Sequence, residues 1–233
     1  FNWYSPRIQT TNTNDLPSPR LGHASAIYGD VLYVFGGHTL PDTASVDGNQ
    51  EISNELHMLD LQTMKWQKLQ ADSQNLVKPM AYMAATVDLD QQRLAIFGGL
   101  TQDMANTNKF QVTNEVQFLD LATAKWTKPA QVFVDDLQDM PPACMGAQMV
   151  HYDGKLYVYS GADPYGTDPK NPDLKYYNDF YSFDAKSNGY KWKKETDNFA
   201  ELQNGIGTML GQAVRMYNED AVIFTGGCNS LLN

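Results

Sequence analysis

The strongest constraint on the fold is internal repetition. Four apolar, β-branched or aromatic runs each end in a pair of small residues: VLYVFGG closing at Gly37, RLAIFGG at Gly99, KLYVYSG at Gly161 and AVIFTGG at Gly227. The closing residues lie 62, 62 and 66 positions apart. A second series runs in step with the first. SNELHMLDL, TNEVQFLDL and YNDFYSFDA carry Asp60, Asp120 and Asp184, and Trp66, Trp126 and Trp192 follow those aspartates by 6, 6 and 8 residues. Several markers recurring in one order are the signature of stacked supersecondary units.

Each unit reads as four short strands. Strand a is rich in small apolar residues and starts at Gly22, Met83, Gly146 or Gly211. Turn formers such as Gly29-Asp30, Asp153-Gly154 and Asn218-Glu219-Asp220 lead into strand b, the run that ends in the small pair. Strand c starts at the Asn-acidic segment, and strand d holds the Trp. No segment has sustained helical periodicity. Such strands cannot stand alone, so each sheet must stack on its neighbours. The whole chain, 1–233, reads as one all-β domain with units at about 17–66, 79–126, 141–192 and 207–233.

These residues resemble the kelch repeat: a Gly pair closing strand b, an Asn-acidic start to strand c, and a Trp about six residues beyond the Asp. The resemblance covers nearly the whole chain and implies a β-propeller whose blades are four-stranded sheets. Three departures stand out. The unit exceeds the roughly 50 residues usual for kelch, Ser160 replaces a Gly, and His57, Gln117 and Tyr181 occupy the aromatic slot of strand c. FNWYSP, residues 1–6 with Trp3, reads as a lone d strand, and only CNSLLN follows Gly227. The resemblance therefore implies three complete blades plus partial ones within a larger ring. Missing chain or another subunit would supply the remainder.

Charge narrows the partners. Seventeen basic against 27 acidic residues give a net charge of −10, which argues against nucleic acid, whose binding needs clustered Lys and Arg. No apolar run approaches the ~20 residues of a membrane helix. Cys144 and Cys228 are too few for a disulfide framework or a Cys-rich zinc site. Among 17 Asn there is no Asn-X-Ser/Thr acceptor, which leans toward the cytoplasm. The missing initiator Met keeps an extracellular location as the alternative.

The connections point to one face. The a–b and c–d turns are short, whereas the b–c loops (38–53, 100–113, 162–177) and d–a connections (67–79, 127–140, 193–207) are long. In an up-and-down blade these two classes emerge at the same edge, and loops on a rigid scaffold are where binding residues sit. The six long segments carry −6 of the net −10, which favours a basic partner. The expectation is a non-enzymatic scaffold that binds a protein, with a glycan as second choice, through aromatic and polar anchors. The candidates are Arg20, His23, His38, Phe133, Tyr165 and Tyr176. Asp163, Asp168 and Asp173, like Asp42, Asp47 and Glu51, lack EF-hand spacing, and the four His form no HxH or HExxH pair. No metal, cofactor or catalytic residue is therefore assigned. A galactose-oxidase-like copper enzyme, with Cys144 and Tyr82 as a crosslink, or a sugar mutarotase is the alternative that the resemblance implies.

Overall fold

The structure, a computed structural model, describes residues 7–10, 12–39, 51–69, 77–103, 106–165, 175–186, 189–196, 209–216 and 220–228. FNWYSP, and with it the expected lone d strand, lies outside the described residues, as do Asp42, Asp47, Asp168 and Asp173.

Three sheets contain four antiparallel strands in the order a-b-c-d, the third with one further short strand on its outer edge, and a two-stranded sheet follows them. The first blade is Ala24–Tyr28, Val31–Phe35, Leu56–Asp60 and Lys65–Leu69. The second is Ala84–Asp88, Arg93–Phe97, Val116–Asp120 and Lys125–Thr127. The third is Gln148–Tyr152, Lys155–Tyr159, Phe180–Asp184 and Tyr190–Thr196. The half blade is Gln212–Arg215 paired with Val222–Thr225. The only helical elements among the described residues are the 3-10 turns Thr13–Asp15 and Leu137–Asp139.

The repeated markers are backbone devices. Both members of each small pair have positive φ: 69° and 95° at Gly36 and Gly37, 65° and 102° at Gly98 and Gly99. The turned backbone lets Gly37 N–H donate to the Met80 carbonyl (2.8 Å) and Gly99 N–H to the Cys144 carbonyl (2.8 Å), each in the chain entering the next blade. Asn54 Nδ2 and Asn114 Nδ2 make a second tie, donating to the Val77 and Pro141 carbonyls at 3.2 and 3.0 Å. A third runs from blade to blade: Tyr82 N–H to Gly22 O, Gly146 N–H to Tyr82 O, and Leu210 N–H to Gly146 O, at 2.6 to 2.8 Å. Asp60 Oδ1 accepts the N–H groups of Gln62 and Thr63, and Asp120 Oδ1 those of Ala122 and Thr123. These aspartates therefore build the c–d turns.

Side chains fill the gaps between sheets. Phe35 of the first blade meets Trp126 of the second with ring centroids 4.6 Å apart. Phe97 of the second meets Trp192 of the third at 5.3 Å. Trp192 is 1% exposed, whereas Trp66 and Trp126 are half-buried. Ring contacts for Trp66 run to His57 within its own sheet.

The long connections do not all decorate one edge, which corrects the sequence expectation. Val132–Phe133 pairs in parallel with Tyr190–Lys191, the end of strand d next to the c–d turn. The chain then climbs the outside of the third blade, and Asp139 Oδ1 accepts Lys194 N–H at 2.9 Å. The first blade has the same strap: Gln9 N–H donates to Met64 O, Trp66 N–H to Thr10 Oγ1, and Lys68 N–H to Asp15 Oδ1. Each strap covers an edge whose free N–H and C=O groups would otherwise template aggregation.

Candidate functional site

The long-loop edge of each blade is a small platform. After the small pair, the b–c loop forms a hairpin, His38–Thr39 with Glu51–Ile52 and Leu100–Asp103 with Asn106–Val112. Arg20–Leu21 and Met80–Ala81, just before strand a, pair onto these hairpins. In the third blade Ala162–Asp163 pairs with Lys175–Tyr176, and Met145 bridges to Ala162. Beneath the first and second hairpins the start of strand c lines a niche. Arg20, Met80 and Cys144 are equivalent positions of the repeat, as are Glu55, Glu115 and Asp179 at the start of strand c.

In the first blade the niche opens into a cleft of about 610 Å³ lined by Thr39, Ser53, Asn54, Glu55, His57 and Lys68 among others. Behind the lining residue Glu55, Arg20 has a side chain only 3% exposed. Its guanidinium donates to the Gly36 carbonyl (3.0 Å), the Ser18 carbonyl (3.1 Å) and Glu55 Oε2 (2.9 Å). His57 Nδ1 lies 3.0 Å from the Asp15 carbonyl, which can only accept, so Nδ1 carries the proton. Its Nε2 faces Glu55 at 3.3 Å. Burial would raise the Glu55 carboxyl, but hydrogen bonds from Lys68, Arg20 and His57 bring it down to about 2. The cluster knits the platform to strand c and to the strap.

The six nominated residues do not form one constellation. Arg20 is committed internally. His23 is exposed at the start of strand a. His38 is 7% exposed and packs its ring against Tyr82 and Phe110 at 5.4 and 6.2 Å. Burial pushes its imidazole below the ordinary value, and Nδ1 has no partner. Phe133 is 44% exposed, but on the outer strap rather than on the platform. Tyr165 is 46% exposed at the third hairpin, where its N–H donates to Asp163 Oδ1 (3.0 Å). Tyr176 is half-buried in that hairpin.

Two further groups could bear on chemistry. Cys144 is buried, and burial together with the Asp163 carboxylate pushes its thiol up to about 12, too high for a nucleophile. It is not bonded to Cys228, which is exposed. On the short-turn side, ligand atoms of Asp88, Asp90 and His151 lie within 4.8 Å of one another. Arg93 already pairs with Asp88 at 2.9 Å and Lys186 with Asp90 at 2.9 Å. Positive charge is thus supplied by the protein, and Lys186 brings the third blade to the second.

Sequence reasoning did not find the niche carboxylates or Thr101, which is 3% exposed with an unpartnered hydroxyl. The signal available was the Asn-acidic pair itself, since it fixes three carboxylates at one position of the repeat.

Residues 22–232 match the KLHDC2/KLHL20/DRC7 Kelch-repeats domain. The chain is 30% identical over 149 residues to tip elongation aberrant protein 1 of Schizosaccharomyces pombe, an alignment covering 64% of this chain and 12% of that protein. It is 26% identical over 196 residues to kelch domain-containing protein 3 of Rattus norvegicus, covering 82% and 44%. It is 27% identical over 185 residues to host cell factor of Drosophila melanogaster, covering 77% and 11%. The chain thus spans less than half of each of these relatives. A solved structure of YjhT superposes with a TM-score of 0.64 at 20% identity, covering 90% of this chain and 59% of that one, a likeness of fold. The recurring sheets, the paired positive-φ residues and the matching span together place the chain in the kelch-repeat family.

Proposed function

We propose that the chain is a non-enzymatic interaction scaffold that holds a protein partner on the platform face formed by the b–c hairpins. The observation that carries this reading is the build of that face. Its hairpins are tied to the sheets by the small-pair and Arg20 hydrogen bonds, yet they leave His23 and Tyr165 exposed. Rigid anchors lose little entropy on binding, and exposed aromatics supply much of the contact energy. Among the described residues, the opposite face presents short turns, those after Asp60 and Asp120 closed on these aspartates, with the strap residue Phe133 beside the third. The buried His57 and Cys144 serve the scaffold rather than a reaction, which favours binding over catalysis.

The test compares two pairs of substitutions on the immobilised chain. His23→Ala with Tyr165→Ala alters the platform face. Lys65→Ala with Lys125→Ala alters the short-turn face. Proteins retained from a native extract are quantified by mass spectrometry. The reading expects specific retention to fall at least tenfold with the first pair and to persist with the second. The opposite pattern, with both variants folded, rejects the face.

A further inference from the structure

We infer that the niche of the second blade receives a lysine or arginine side chain from the protein partner, in the place that the first and third blades fill with a lysine of their own; this rests on the scaffold reading above. In the first blade Lys68, two residues after Trp66, pairs with Glu55. In the third Lys194, two residues after Trp192, pairs with Asp179 at 3.3 Å. The corresponding residues of the second blade are Lys128 and Glu115. There strand d ends at Thr127, because Pro129 has no N–H to continue the ladder. Lys128 leaves the sheet exposed. Glu115 is exposed too, and its carboxylate pairs with no cation among the described residues.

Below Glu115 lies a cavity of about 190 Å³ lined by Met80, Thr101, Thr113, Asn114 and Gln117 among others. Thr101, 3% exposed, has no partner for its hydroxyl, and Gln117 Nε2 donates only to Met80 Sδ at 3.5 Å. A buried polar atom without a partner is costly and calls for an occupant. Water would satisfy Thr101, and solvent hydrates the exposed Glu115; a single occupant that reaches both must carry N–H donors on a flexible stem. An ammonium or guanidinium on an alkyl stem satisfies both, with its stem against Met80 and its N–H groups directed to Thr101 and Glu115. Lys78 also lines the cavity and is the internal competitor.

The probes are Nα-acetyl-lysine amide and Nα-acetyl-arginine amide, with Nα-acetyl-norleucine amide as the uncharged control. Each is titrated into the whole chain while the backbone amide resonances of Thr101 and Gln117 are followed. The expected result is a saturable shift with the cationic probes and none with norleucine. Glu115→Gln weakens binding at least fivefold, Thr101→Val weakens it severalfold without loss of stability, and Lys78→Ala tightens it. Absence of a saturable shift, or equal binding by Glu115→Gln, overturns the inference. Because these probes need no partner, their failure leaves the outcome of the capture experiment untouched, and failure of the capture experiment alone leaves the niche standing.

Discussion

The first and third blades share one backbone plan and fill it in opposite ways. At the positions of Arg20, His57 and Trp66 the third blade has Cys144, Tyr181 and Trp192. The first blade makes an ion cluster around Glu55, with Trp66 half-buried. The third makes a dry aromatic core, with Trp192 tilted against Phe183 at 4.7 Å and edge-on to Phe97 at 5.3 Å. The hydrogen bonds of the small pairs, the Asn residues and the turn aspartates carry the fold, so niche side chains are free to diverge.

The largest difference between the two blades should appear at their tryptophans. Trp192→Ala is expected to cost about 3–5 kcal/mol, the range for a buried large-to-small change. Trp66→Ala should cost about half that or less, measured by urea unfolding. Equal losses would mean that the first blade has as dry a core as the third.

Next come the small pairs. A Cβ on Gly36 would stand 2.4 Å from the Met80 carbonyl, with φ already at 69°. Gly36→Ala should cost about 3 kcal/mol from the collision together with the left-handed backbone. Ser160 in the third blade has φ 64° but donates its hydroxyl to the Tyr177 carbonyl at 3.0 Å. Ser160→Gly should fall within about 1 kcal/mol of the original, since strain relief and the lost hydrogen bond offset each other.

The ion cluster offers a finer comparison. Arg20→Met installs the residue of the second blade and should cost about 2–3 kcal/mol, because Glu55 and the Gly36 carbonyl lose a donor. Adding His57→Gln, again as in the second blade, should recover part of that loss. Two strictly additive losses would show that the two positions are not coupled.

The smallest effect is a pH dependence. The Glu55 carboxyl is held at about 2 against an ordinary 4.5. Its contribution is therefore fully present above pH 4.5 and is lost as pH falls toward 2. After solvent screening it is worth about 1 kcal/mol. Glu55→Gln should flatten the acid limb of stability in that window, and an unchanged limb would remove Glu55 from the account.

How much of this could be read in the sequence follows from the same division. Strands b and c, the turns and the blade order were legible, because Gly pairs and Asn-acidic starts impose a particular backbone. The straps were not: a two-residue parallel pairing of Val132–Phe133 with Tyr190–Lys191 leaves no periodic trace. For that reason Phe133 was expected on the platform. Arg20 was expected at the surface because arginine is seldom buried unless paired, and its partner Glu55 lies 35 residues away. The isolation of Glu115 was written only in Pro129, a residue that any loop could carry.

Amide hydrogen exchange on the chain, with and without a partner retained in the capture experiment, decides whether the platform is the binding face. Added protection is expected at residues 20–23, 100–102, 113–117 and 162–165 on the platform, with no change at the c–d turns 61–64 and 121–124. Protection centred on those turns, with the platform unchanged, would place the partner on the other face.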